Sequence, residues 1–219
     1  MNSQFLYEYS ENLETILEVA KKEKFSLLAL ERKIAYSPYF QKIEVDVENI
    51  APIIEEDALL KEIFSDINIK SFDAPRLTEC MWAAEAYLRI QGDTRLTFEA
   101  IFLWLPIKKM YELYSLYHEM DFSQIVQQFM IYQTEQSIFS ILLSKFGYSL
   151  KDVEEKTGIS YETLYSLKRR RREIKKVNVE TVSQLAKLFH VRIDTIAEIE
   201  QYKQENIVKF IKKQLEKNN

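Results

Sequence analysis

From Ser10 to about Lys24 the apolar residues fall at Leu13, Ile16, Leu17 and Ala20, the three-and-four spacing that lays one stripe along a helix. Ser26 to Ala35 predicts a second helix, ending near Pro38. Pro52 with Glu55, Glu56 and Asp57 marks another helix start, because carboxylates are favoured beside the unpaired amides of a first turn. Asp73-Ala74-Pro75 marks a further one, with Asp73 as N-cap and proline in the first turn; that helix should run to about Ile90 and stop at Gly92. Thr97 to Leu105, Ile107 to Met120 and Phe122 to Tyr132 follow as helices, with Pro106 separating the first two and Asp121 capping the third. Lys42 to Val47 breaks the series: Ile43, Val45 and Val47 alternate with charged residues, a strand pattern without a clear partner strand. The fold class that results is all-α, with room for one minor β element.

The last third carries a tighter pattern. Glu135 to Phe146 predicts a helix with Ile138, Ile141, Leu142 and Phe146 on one face, ended by Gly147. Ser149 caps a second helix that turns Val153 inward. Gly158 makes a tight turn, where a positive φ costs glycine nothing, and Ile159 plugs the gap between helices. Ser160 caps a third helix whose buried face is Leu164 and Leu167, which leaves Tyr161, Glu162, Tyr165 and Ser166 outward. A fourth helix, Val179 to Phe189, buries Val182, Leu185, Ala186 and Phe189, and a fifth begins near Ile193 or Asp194. A helical tail from Ala197 to about Lys217 would expose Ile199, Tyr202, Ile207, Phe210, Ile211 and Leu215 unless it packs on something. The pattern divides the chain near Thr134 into a helical N-terminal domain, residues 1–133, and a C-terminal domain with its tail, residues 134–219.

Charge sharpens this division. The net charge is −4, but residues 145–219 hold 17 Lys/Arg against 11 Asp/Glu, a balance of +6, while residues 1–144 hold 13 against 23, a balance of −10. An acidic body joined to a basic end points to a polyanion partner for that end. The densest positive run, Lys168 to Arg172 with Lys175 and Lys176, follows the third of these helices directly.

Two short helices about a glycine turn, with outward polar and aromatic residues and a basic run beside them, resemble the Cro/repressor-type helix-turn-helix proteins, the XRE (xenobiotic-response-element) family, over about residues 135–200. The resemblance rests on Ser149, Val153, Gly158-Ile159-Ser160, Leu164 and Leu167, and on Val179 to Val191 followed by Asp194 and Ile196. It implies a five-helix lambda-repressor-like domain that places its third helix in a DNA major groove. By resemblance Tyr161, Glu162, Tyr165 and Ser166 would face base edges, with Ser149, Ser160 and Thr163 beside them as further DNA-binding candidates. The basic run Lys168, Arg169, Arg170, Arg171, Arg172 with Lys175 and Lys176 reads from its own charge as a phosphate clamp or a minor-groove arm. Leu150 stands where the family usually has Gln, and Glu154 where it usually has a small residue. The loop after the third helix is about three residues longer than usual, with arginine in place of its glycine.

The function that follows is sequence-specific binding of double-stranded DNA by a cytoplasmic, homodimeric transcriptional regulator of repressor type. The N-terminal domain would sense an effector, dimerise, or bind a peptide, small molecule or protein. The alternative is an interaction protein, such as an antitoxin or a phage or mobile-element inhibitor, whose helix-turn-helix autoregulates its own promoter. Little points to an enzyme: His118 and His190 lie far apart, Cys80 sits in an apolar helix, and no Gly-rich phosphate loop or Cys/His cluster implies a cofactor or metal. The start of the chain reads as no signal peptide, and the longest uncharged apolar run, Ala100 to Ile107, is eight residues, so no membrane span is expected. Glycine, with 3 residues, and proline, with 4, are too scarce for an all-β fold.

Overall fold

A computed structural model describes residues 3–45, 56–65, 74, 76–135, 137–171 and 173–196. The helices run, in order, α1 (Ser3–Lys22), α2 (Leu27–Tyr36), α3 (Pro38–Val45), α4 (Glu56–Ile63), α5 (Thr78–Thr94), α6 (Phe98–Trp104), α7 (Ile107–Tyr117), α8 (Phe122–Glu135), α9 (Ile138–Phe146), α10 (Leu150–Thr157), α11 (Tyr161–Lys168) and α12 (Val179–Phe189). Among the described residues there is no strand, and no helix is long and apolar enough to cross a membrane. The chain divides into two compact units, Met1–Gln128 and Phe129–Asn219.

In the first unit the largest helix pair is α1 on α5. The stripe expected on α1 is buried as read, at Leu13, Ile16, Leu17 and Ala20, and Tyr9 extends it toward the N-terminus. α5 buries three small side chains, Ala83, Ala84 and Ala86. α6 is buried at every position from Phe98 to Trp104, the mark of a central helix, and packs on α2, α3 and α5.

Several expected boundaries move. Lys42 to Val45 is helical, not a strand: Tyr39, Phe40 and Ile43 are the buried positions of α3, a helical spacing. α2 ends at Tyr36, beside Pro38 as expected, and Pro38 also opens α3. Residues 46 and 47 lie outside the described residues, as do Pro52, Glu55, Asp73, Pro75 and the tail from 197 onward. α5 starts at Thr78, later than Asp73-Ala74-Pro75 suggests, and runs through Gly92 to Thr94. A single interior glycine costs a helix only about 1 kcal/mol; the stop is instead made by Arg95, whose left-handed backbone (φ 59°) donates its amide to the Gln91 carbonyl. Asp121 does cap α8, accepting from the Ser123 amide at 2.8 Å. α8 continues to Glu135, so the following helix begins at Ile138 and not at Glu135.

Three helix starts in this unit are capped from a distance. Glu18 of α1 accepts from the Leu77 amide at 2.5 Å, Glu31 of α2 from the Ile107 amide at 2.8 Å, and Glu44 of α3 from the Phe98 amide at 2.6 Å. The N-caps Leu77 and Pro106 offer no side-chain hydrogen bond of their own, so α5 and α7 rely on these carboxylates for an otherwise orphaned amide. Each carboxylate also faces the positive end of a helix, which offsets the cost of burying it. Burial still pushes the Glu18 carboxyl above the ordinary carboxylate range, against the lowering pull of the Leu77 amide. Glu31→Ala should strip α7 of this acceptor and destabilise the first unit by about 1–3 kcal/mol, whereas Glu31→Gln keeps an oxygen there and should recover most of the loss. Thermal melts of the two variants decide it; equal melting of Glu31→Ala and the unsubstituted chain would show that the cap contributes nothing.

The three tyrosines of α7, spaced three apart, each have a polar partner within the first unit. Tyr111 reaches the Cys80 sulfur at 3.6 Å, Tyr114 donates to the Thr78 hydroxyl at 3.1 Å, and Tyr117 donates to Gln128 at 3.2 Å. Cys80 is fully buried, and burial pushes its thiol up to about 11, so it stays protonated at neutral pH. His118 ends α7 and stacks on Tyr114.

Candidate nucleic-acid interface

The helix-turn-helix is assembled by local caps. The Ser137 hydroxyl accepts from the Ser140 amide to start α9, and Gly147 (φ 69°) ends it. Ser149 and Asp152 form a reciprocal capping box on α10, with the Ser149 amide donating to Asp152 at 2.7 Å and the Asp152 amide to the Ser149 hydroxyl at 3.2 Å. Those hydrogen bonds hold the Asp152 carboxyl below the ordinary aspartate range. Gly158 closes α10 at φ 72° and donates to the Glu154 carbonyl at 2.8 Å. Ile159 is buried beneath the turn, and Ser160 caps α11. Leu164 and Leu167 are buried, as their spacing implies.

The two departures in α10 each have a structural use. Leu150 is buried against the unit's core. Glu154 accepts from the Tyr161 amide at 2.7 Å, so it caps the first residue of α11. Its spacing of seven residues from Tyr161 gave no sequence signal of that role.

The outward face of α11 divides by what each side chain already does. The Ser160 hydroxyl donates to the Thr163 hydroxyl at 3.0 Å, and the Ser166 hydroxyl donates to the Thr163 carbonyl at 2.7 Å. These three groups are engaged within the helix. Tyr161 and Glu162 are exposed, and Tyr165 is half-buried. The far end is tied down by the hydroxyls of Ser137 and Ser140, which donate to the Lys168 carbonyl at 3.3 and 3.4 Å.

The basic run turns at once. Arg170 takes φ 56°, the Arg171 amide donates to the Ser166 carbonyl at 2.9 Å, and the Arg170 amide donates to the Leu167 carbonyl at 3.2 Å. This is a Schellman helix end with arginine at the position glycine usually fills. A left-handed non-glycine residue costs about 1 kcal/mol, and the cationic side chain recovers part of that against the negative end of the helix. The backbone at Lys24 and at His190 makes the same left-handed helix end on α1 and α12. Arg169, Arg170 and Arg171 are exposed; Arg172 and the Lys175 side chain lie outside the described residues. The longer loop has its own anchor, a 3₁₀ turn over Ile174–Lys176 with Ile174 and Val177 buried, and the exposed Lys176 pairs with Glu173 at 3.3 Å. Asn178 then caps α12.

α12 keeps its expected bounds, but Val182 is only half-buried; Leu185, Ala186 and Phe189 carry the core face. A last helical stretch begins at residue 193, with Ile196 buried.

Arg170→Gly should relax the backbone and stabilise the second unit by about 1 kcal/mol, while the loss of one exposed cation should weaken duplex DNA binding several-fold. Thermal melting and duplex titration should therefore move in opposite directions. A lower melting point in the glycine variant would refute the strain at Arg170.

Residues 139–201 match the family model of the Cro/C1-type HTH DNA-binding domain, the family the sequence resembles. No curated protein and no solved structure matches the chain. A domain of this kind makes the chain a DNA-binding protein of the regulator type.

Proposed function

We propose that the protein is a sequence-specific, double-stranded DNA-binding transcriptional regulator that acts as a cytoplasmic repressor and binds its operator as a homodimer. The match of residues 139–201 to the Cro/C1-type domain carries this reading. In the proposed complex α11 enters the major groove. Tyr161 and Glu162 meet base edges, where a carboxylate accepts from a cytosine amino group and a phenol ring contacts a thymine methyl. Tyr165 lines the same groove face. Thr163 and Ser166 keep the helix end in shape through the bonds described above. Ser149 and Ser160 stand at helix N-termini, whose amides favour a phosphate oxygen. Lys168, Arg169 to Arg172, Lys175 and Lys176 neutralise the flanking backbone. Two-fold operators bind two-fold proteins, so half-site spacing would mirror the dimer.

The first unit, with its acidic balance, is assigned the regulatory part: effector sensing, dimerisation or docking of a protein partner. In-vitro selection from random duplexes with the purified chain tests the reading. Enrichment of a two-fold motif supports it. Absence of enrichment, together with copurification of a tightly bound protein, would replace it by an interaction protein that only autoregulates.

A further inference from the structure

The face of α11 carries a stack that helical periodicity explains only in part. Tyr161 and Tyr165, one turn apart, lie with ring centroids 6.3 Å apart at 15°. The guanidinium carbon of Arg169 lies 5.7 Å from the Tyr165 centroid, and that of Arg171 lies 5.9 Å from it. Arg169 is four residues beyond Tyr165, so the helix itself brings it over the ring. Arg171 is six beyond, and a continued helix would carry it to another side. The left-handed backbone at Arg170 turns the chain back and returns Arg171 to the same ring. The costly conformation and the stack are therefore one device.

Resting on the DNA-binding reading, we propose that Tyr165 is a positioning residue, one that holds the guanidinium groups of Arg169 and Arg171 ready for phosphates instead of reading a base itself. Its half-buried ring is already engaged by Tyr161 and two cations, which leaves little of it for a thymine methyl. A loose arginine surrenders many rotamers when it meets a phosphate; one already resting on an aromatic face has surrendered them beforehand. The consequence is affinity without sequence preference. Tyr161, 44% exposed, remains the aromatic available to the groove.

The test uses the full chain and a fluorescently labelled random-sequence duplex, titrated at several salt concentrations. Tyr165→Leu should weaken binding by roughly tenfold, or ~1.4 kcal/mol, at every salt concentration. The slope of log affinity against log salt should not change, because the number of neutralised phosphates is the same. Tyr165→Phe keeps the ring and should restore the affinity. In the free protein, side-chain proton signals of Arg169 and Arg171 should be shifted upfield by the ring, in the unsubstituted chain and in Tyr165→Phe but not in Tyr165→Leu. Equal weakening by the Phe and Leu variants would overturn the proposal, since the hydroxyl would then be the contact. Unchanged binding by Tyr165→Leu, or no upfield shift, would also overturn it. Failure of the unsubstituted chain to bind any duplex would instead bring down the DNA-binding reading, and the positioning role with it.

Discussion

Alanine at Arg169, Arg170 and Arg171 together should cost DNA affinity on the order of a hundredfold near 0.1 M salt, while leaving the fold in place. The three side chains are exposed and follow α11 directly. A phosphate that gains a cation releases condensed counterions, and each such contact contributes about 0.9 to the slope of log affinity against log salt. The triple variant should therefore lose up to nearly three units of slope, more than any single substitution in the unit. Its binding would then be weaker at low salt and closer to that of the unsubstituted chain at high salt. The stability cost should be small. Exposed charges contribute little to folding, and alanine is no worse than arginine in the left-handed conformation at 170. Salt titration of a labelled duplex, with a thermal melt as control, reads both quantities. An unchanged slope in a folded variant would remove the basic loop from the interface.

Phe189→Ala should be the most damaging single change in the second unit. Phe189 is fully buried, and its ring meets Phe139, Phe146 and Tyr148 at centroid distances of 6.2, 5.6 and 5.9 Å. It thus joins α12 to α9 and to the segment between α9 and α10. Truncating a buried phenylalanine costs about 3–5 kcal/mol, from lost transfer energy and from the cavity left behind. A domain of this size is stable by roughly 5–15 kcal/mol, so the variant would stand close to its unfolding threshold. DNA binding should fail well before physiological temperature, although Phe189 is not among the residues assigned to the groove. The chain's two tryptophans, Trp82 and Trp104, belong to the first unit, so far-UV circular dichroism and duplex binding are the proper readouts. A variant that melts within about 1 kcal/mol of the unsubstituted chain would show that the aromatic cluster is not the keystone of the unit.

What was legible in the chain depended on range. Helix ends written by adjacent residues are legible: Ser149, Gly158, Ser160 and Gly147 all cap where their types suggest. At Lys42 to Val45 alternation over so few residues fits either period, and Tyr39 and Phe40, just upstream, settle it as helix. Gly92 does not stop α5, because glycine tolerates a helix interior when the next turn is well tied: the Thr94 hydroxyl donates to the Ile90 carbonyl at 2.6 Å. The 3₁₀ turn after the arginines left only a faint trace, Ile174 and Val177 three apart.

By itself, the sequence determined the all-helical character, the helix-turn-helix with its caps, and the basic run beside it. These follow from spacings of three and four and from residues that cap their own neighbours, so the local chain suffices. Only the tertiary structure decided the rest. Glu18, Glu31 and Glu44 cap helices 59, 76 and 54 residues away, and no periodicity links partners at such separations. Glu154 became a cap for α11 only once the two helices crossed. The arginines became an ordered stack only because the backbone at Arg170 turns left-handed, a conformation that residue type alone argues against and that the surrounding hydrogen bonds impose.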